Sequence, residues 1–330
     1  VFYFLIFVVF NFAFCGASIV FGQNRQMQSG GEEMLSNKFL SKSKYIIIGI
    51  HGLLNKPPND QLQKWWSLSI EEGLTRNLEI SYVPSFELVY WADVRNPNPI
   101  PVQHLDDPYW KMSEEEPLKR YEMDFSDALR SIANKYGGRI LDKEKDLIGL
   151  GTNVEKILGV GLDDLDDYYK NVEIRKKIRA KLSSAIESNE GRRILVVAHS
   201  MGSIVAYDVL RKFDKVNFQN PISLITIGSP LGMPIVSKKI REEFSSTNTP
   251  KNVGLWINMS DPGDRVAIDC ELEDEYGSNQ SGVKVKDVFV HNEYVSPKGE
   301  ENNHKSYGYL RAPEFSEAVI DFVSIRFPGG

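Results

Sequence analysis

The stretch Ile194-Leu195-Val196-Val197-Ala198-His199-Ser200-Met201-Gly202-Ser203-Ile204-Val205 decides how this chain reads. Residues 194–198 are a continuous apolar run, which fits a strand buried on both faces, as in a parallel sheet. Met201 to Phe213 carries Ile204, Val205, Val209 and Leu210 at helical spacing. Ser200 therefore stands at a strand-to-helix bend. A serine hydroxyl is a poor nucleophile until a neighbouring base and an exposed position activate it. A sharp bend supplies the exposure but tolerates only small neighbours, hence the pattern G-x-S-x-G. Ala198 and Gly202 satisfy that demand, alanine being the smallest substitute for the first glycine. The competing reading is a serine that merely caps a helix.

Working outward, the same alternation recurs. Tyr45 to Ile50, Phe86 to Trp91, Ile222 to Ile227 and Val253 to Asn258 read as further strands. Val283 to Val290 alternates and reads as an edge strand or a loop excursion. Helices are expected over Leu62 to Asn77, over Val172 to a Gly191 cap, and over Phe315 to Phe327. Strands alternating with helices predict an α/β fold around a mostly parallel sheet. Ala92 to about Tyr169 breaks this rhythm, opening on a proline-rich run and continuing with Tyr121, Phe125, Leu129 and Ile132 at helical spacing. Asp163, Asp164, Asp166 and Asp167 cluster there without the spacing of an EF-hand loop, as a solvated helix start would.

The chain has 330 residues, 42% hydrophobic and 25% charged, which excludes a disordered or multi-span membrane protein. A net charge of −6 argues against a dedicated nucleic-acid binder. Cys15 and Cys270 are too few for a disulfide framework. Val1 to Gly22 holds only Asn11, Gly16, Ser18 and Gly22 outside the hydrophobic set. Its length suits either a cleaved signal peptide or a membrane anchor, which needs about 20 apolar residues. The expectation is export or anchoring, with residues 23–44 as a polar linker and 45–327 as one folded domain. Histidines and cysteines lack metal-ligand spacing and no phosphate-binding glycine motif follows a strand, so no metal or other cofactor is expected.

His51-Gly52-Leu53 directly follows the first strand. Acyl transfer creates an oxyanion that two aimed backbone N–H groups stabilise. One is the residue after the nucleophile, Met201, and the other comes from a loop after an early strand, here Leu53. With Ser200, this loop resembles the α/β-hydrolase superfamily and its lipase and esterase branch. The resemblance rests on His51 to Leu54, Ala198 to Gly202, and Ile227-Gly228-Ser229-Pro230-Leu231. It spans roughly Lys44 to Phe327 and is loose through Ala92 to Tyr169.

The resemblance implies the chain order nucleophile, acid, histidine. For the acid it points to Asp264, with Asp261 and Asp269 as competitors in the same turn region. Of five histidines, only His291 and His304 follow Asp264. His304, in a polar loop before the last helix, is favoured as the base, while His199 reads as packing beside the bend. The insertion reads as a helical cap, with Tyr109, Trp110, Tyr121 and Phe125 lining an acyl pocket or packing the cap onto the core. The expected function is cleavage of a small carboxylic ester, a lipid included, with membrane association through the apolar leader. An acyltransferase using the same residues and a non-catalytic binding protein are the alternatives.

Overall fold

The computed structural model describes residues 44–81, 84–104, 118–122, 163–267 and 270–324. The leader 1–22, Asp269, and the insertion aromatics Tyr109, Trp110 and Phe125 lie outside the described residues. The sheet with its helices lies within the unit Ser41–Gly330. Among the described residues no helix is long and apolar enough to cross a membrane.

The apolar runs become β1 (Tyr45–Ile50), β2 (Ser85–Val89), β3 (Arg193–His199), β4 (Ile222–Ile227) and β5 (Val253–Ser260), with β6 at Val285–Phe289. They form one sheet in the order β2-β1-β3-β4-β5-β6, every pair parallel. The three most completely buried strands, β1, β3 and β4, lie inside the sheet. β6 lies at the edge, where Val285 is buried and Lys286 exposed. The doubt between edge strand and loop thus resolves to an edge strand.

Among the described residues the α-helices are α1 (Asn59–Leu78), α2 (Asp163–Lys170), α3 (Val172–Glu187), α4 (Met201–Lys212), α5 (Pro234–Phe244), α6 (Ser306–Arg311) and α7 (Pro313–Ser324). α1, α6 and α7 pack together, while α2 to α5 pack in sequence on one another. The strand period of two explains why both groups are needed. Ile46, Ile48 and Ile50 join the core formed with α3 and α4. Gly49, between them, faces Trp66 of α1 and Phe86 of β2.

Three local expectations differ from the structure. α3 ends at Glu187 rather than near Gly191, because the Asn189 side chain donates to the Ala185 carbonyl (2.8 Å) and occupies one of the last acceptors. Tyr121 is not helical; its ring packs on Phe289 of β6 with centroids 5.4 Å apart. The end of the supposed insertion belongs to the core: Leu165 and Tyr168 of α2 are buried there. Tyr168 donates to Asp208 of α4 (2.6 Å) and accepts from Arg179 of α3 (3.0 Å). Arg175 and Arg179 also pair with Asp208, which is 1% exposed. Without such partners a carboxylate at that depth would cost several kcal/mol, on the order of 3–5.

Strand order positions the site. From β1 the chain steps to β2 on one side, and from β3 it proceeds to β6 on the other. Where the order reverses, the loops at the carboxyl ends of β1 and β3 diverge and leave a crevice.

Candidate active site

The pairing of Ile50 with Ala198 sets the ends of β1 and β3 side by side. His51-Gly52-Leu53 therefore leaves the sheet beside His199-Ser200. Ser200 has φ 55° and ψ −130°, a left-handed backbone that few residues other than glycine adopt. Such a conformation stores on the order of 1–3 kcal/mol and persists only where surroundings enforce it. Here the Ser200 N–H donates to Ile227 O of β4 (3.0 Å), and the Ser203 hydroxyl donates to Ala198 O (2.9 Å). Small residues make the approach feasible. A Cβ on Gly202 would stand 2.6 Å from Ile50 O, and one on Gly52 would stand 2.7 Å from the Ser200 Cβ.

The loop after β5 and the loop before α6 bring their residues to this bend. His304 Nε2 lies 3.0 Å from Ser200 Oγ, and His304 Nδ1 lies 2.9 Å from Asp264 Oδ2. A carboxylate only accepts, so Nδ1 carries the proton and Nε2 is left to accept from the serine hydroxyl. Asp264 is 4% exposed. Its Oδ1 accepts the Val266 N–H (2.8 Å) and its Oδ2 accepts the Tyr309 hydroxyl (2.7 Å). Nothing in the sequence around Tyr309 marks it for this role. Five residues and one helical turn after His304, it is recognisable only once α6 is placed.

The competing residues go elsewhere. Asp261 accepts the Gly263 N–H, the Asn292 N–H and the Asn303 amide (2.6, 2.6 and 3.1 Å), so it ties three loop segments together. Burial still pushes its carboxyl above the usual range. His291 is 46% exposed and lies 3.9 Å from Asp261 and 3.8 Å from Glu293.

Two other histidines act on the backbone. His51 is buried; its Nδ1–H donates to Gly52 O (2.8 Å) and its Nε2 accepts the Trp91 N–H (3.0 Å). It thereby shapes the loop that carries Leu53. His199 Nε2–H donates to His304 O (2.8 Å), steadying the backbone of the histidine that meets Ser200. Burial lowers His51 to about 3 and holds His199 well below its ordinary value. Both depressed values favour the neutral ring in the fold. For His51 the stability contributed is whole above pH 6.5 and is lost as pH falls toward 3, and His199 acts in the same direction. Each missing proton amounts to about 1.4 kcal/mol per pH unit. Urea unfolding between pH 6.5 and 4 is expected to show a falling stability, with a shallower slope for His51→Gln. Equal slopes for the two chains would contradict this assignment.

Met201 is the first residue of α4, where backbone N–H groups have no acceptor within the helix. Leu53 lines the same cleft as Ser200 and His304, and its carbonyl accepts from Lys56 Nζ. The next residue, Leu54, has φ 70°, and its N–H donates to Asp164 Oδ2 (2.6 Å). Asp164 also pairs with Arg95, and Asp167 with Arg95 at 2.5 Å. The acidic cluster does begin a helix, but Asp164 is only 6% exposed and fastens the loop beside Leu53 rather than facing solvent. The cleft measures about 1190 Å³ and takes its aromatic wall from Trp65, Trp66 and Tyr307.

Comparison with protein-family models returns no match, and comparison with curated protein sequences returns none.

Proposed function

We propose that the chain is a serine hydrolase of the α/β-hydrolase kind, cleaving carboxylic esters, lipid esters included, through an acyl-enzyme. The observation that carries this reading is the pair of hydrogen bonds from Asp264 through His304 to Ser200, 2.9 and 3.0 Å long, ending on a strained bend. The parallel sheet, with the bend at its crevice, supports the fold assignment. A cap within 92–169 and an exporting or anchoring leader belong to the same proposal.

In this reading Ser200 Oγ attacks the ester carbonyl while its proton passes to His304 Nε2. Asp264 holds the ring and stabilises its charged form. The carbonyl oxygen becomes an oxyanion that the Leu53 and Met201 amides stabilise, each contributing about 3 kcal/mol. Collapse expels the alkoxide, which takes the proton back from Nε2. Water, deprotonated by His304, then attacks the acyl-enzyme and releases the acid and free Ser200. No step requires a cofactor.

A fluorophosphonate probe tests the reading directly. The serine oxygen bonds to phosphorus and fluoride leaves. The native chain is expected to be labelled and Ser200→Ala not. A native chain that stays unlabelled would leave a binding protein on this fold.

A further inference from the structure

The cleft differs in charge from the chain that forms it. The whole sequence carries −6, yet among the described residues the cleft wall holds Lys56, Arg265 and Lys305 against one acid, Glu301. These cations are not scattered. Lys56 lies three residues past Leu53 and donates to its carbonyl, a neutral acceptor. Lys305 follows His304 directly, with Nζ over the rings of Tyr294 and Tyr307 at 5.5 and 5.8 Å. Arg265 follows Asp264 and is exposed. Each of these three loops thus contributes one basic side chain to the wall of the cleft that Ser200 lines. Desolvation, and after it the charge of Lys305, pull Lys56 down to about 7, so a bound anion would favour its charged form. Holding like charges together in a concave, partly apolar wall costs energy that a bound anion returns. The same cleft offers Leu62 and Trp65 as apolar surface.

We infer that the ligand of this cleft is an amphipathic anion: an apolar chain against Leu62 and Trp65, with a carboxylate or phosphate held between Lys56, Lys305 and Arg265. This rests on the proposed hydrolase reading for the chemistry at Ser200, but not for the binding. As a substrate it is an ester that bears a negative charge near its scissile carbonyl.

Titration calorimetry with octyl phosphate, octanoate and octanol, on the native chain and on Ser200→Ala, separates charge recognition from catalysis. One or both anions are expected to bind at least about tenfold tighter than the alcohol, a difference of roughly 1.4 kcal/mol. The stronger of the two identifies the headgroup. Added salt should erode the preference. Lys305→Met and Arg265→Met should each lower the anion-to-alcohol affinity ratio by about threefold or more, a ratio that general loosening of the fold does not shift. Equal affinity for anion and alcohol, or a ratio unmoved by both substitutions, would overturn the inference, including the case in which the cations serve only the oxyanion. Tight anion binding by a chain that the fluorophosphonate leaves unlabelled would instead retain this inference and refute the hydrolase reading.

Discussion

Replacing His304 with Ala is expected to reduce kcat on a p-nitrophenyl ester by about 10⁶-fold, the scale seen when a serine and its base act as one unit. The geometry behind this is the 3.0 Å contact between His304 Nε2 and Ser200 Oγ. Among the described residues no other side chain is hydrogen-bonded to Ser200 Oγ, and without the imidazole the neutral hydroxyl is a poor nucleophile. His291→Ala is the control. It removes a ring that is 46% exposed and sits near Asp261 and Glu293, so turnover should stay within about twofold, as is usual for exposed side chains away from special features. Steady-state kinetics on the two variants separates them. Comparable losses in both would refute the assignment of the base, and a larger loss in His291→Ala would reverse it.

The second large effect concerns the two aspartates three positions apart. Asp264→Asn is expected to lower kcat by on the order of 10⁴, through the tautomer rather than through charge alone. An amide nitrogen facing His304 Nδ1 would demand a bare Nδ1 and push the proton to Nε2, where it meets the serine hydroxyl donor to donor. Asp261→Asn should behave differently. Its carboxylate accepts the Gly263 and Asn292 N–H groups on separate oxygens, and an amide places a donor against one of them. A buried unsatisfied donor costs about 1–3 kcal/mol, so the expected result is a lower Tm with kcat reduced by less than about tenfold. Kinetics and thermal unfolding on both variants decide the matter. Loss of activity in Asp261→Asn with retention in Asp264→Asn would exchange the two roles.

Much of the fold was legible because its causes are local. Apolar runs such as 46–48 and 194–198, and the largely apolar 222–227, are stable when covered on both faces, and they became inner strands of a parallel sheet. Element ends were less legible. The end of α3 depends on the Asn189 side chain, and α2 reads as part of an insertion until Tyr168 meets Asp208 and Arg179. The acidic cluster looked like a solvated helix start because its partner, Arg95, lies about 70 residues earlier in a stretch with no periodicity.

The sequence by itself determined that a small-flanked serine stands at a strand-to-helix bend, because Ala198, Ser200 and Gly202 are neighbours and their sizes and order are the requirement. It also narrowed the acid and the histidine to short sets of candidates. Only the tertiary structure decided that His304 meets both Ser200 and Asp264, that Tyr309 and His199 hold the acid and the histidine, and that Lys56, Arg265 and Lys305 share one cleft. The physical reason is separation along the chain. His304 lies 104 residues from Ser200 and 40 from Asp264, and hydrogen bonds over such distances leave no periodic trace in sequence. They exist only because the parallel sheet delivers the ends of β1, β3 and β5 to the same edge.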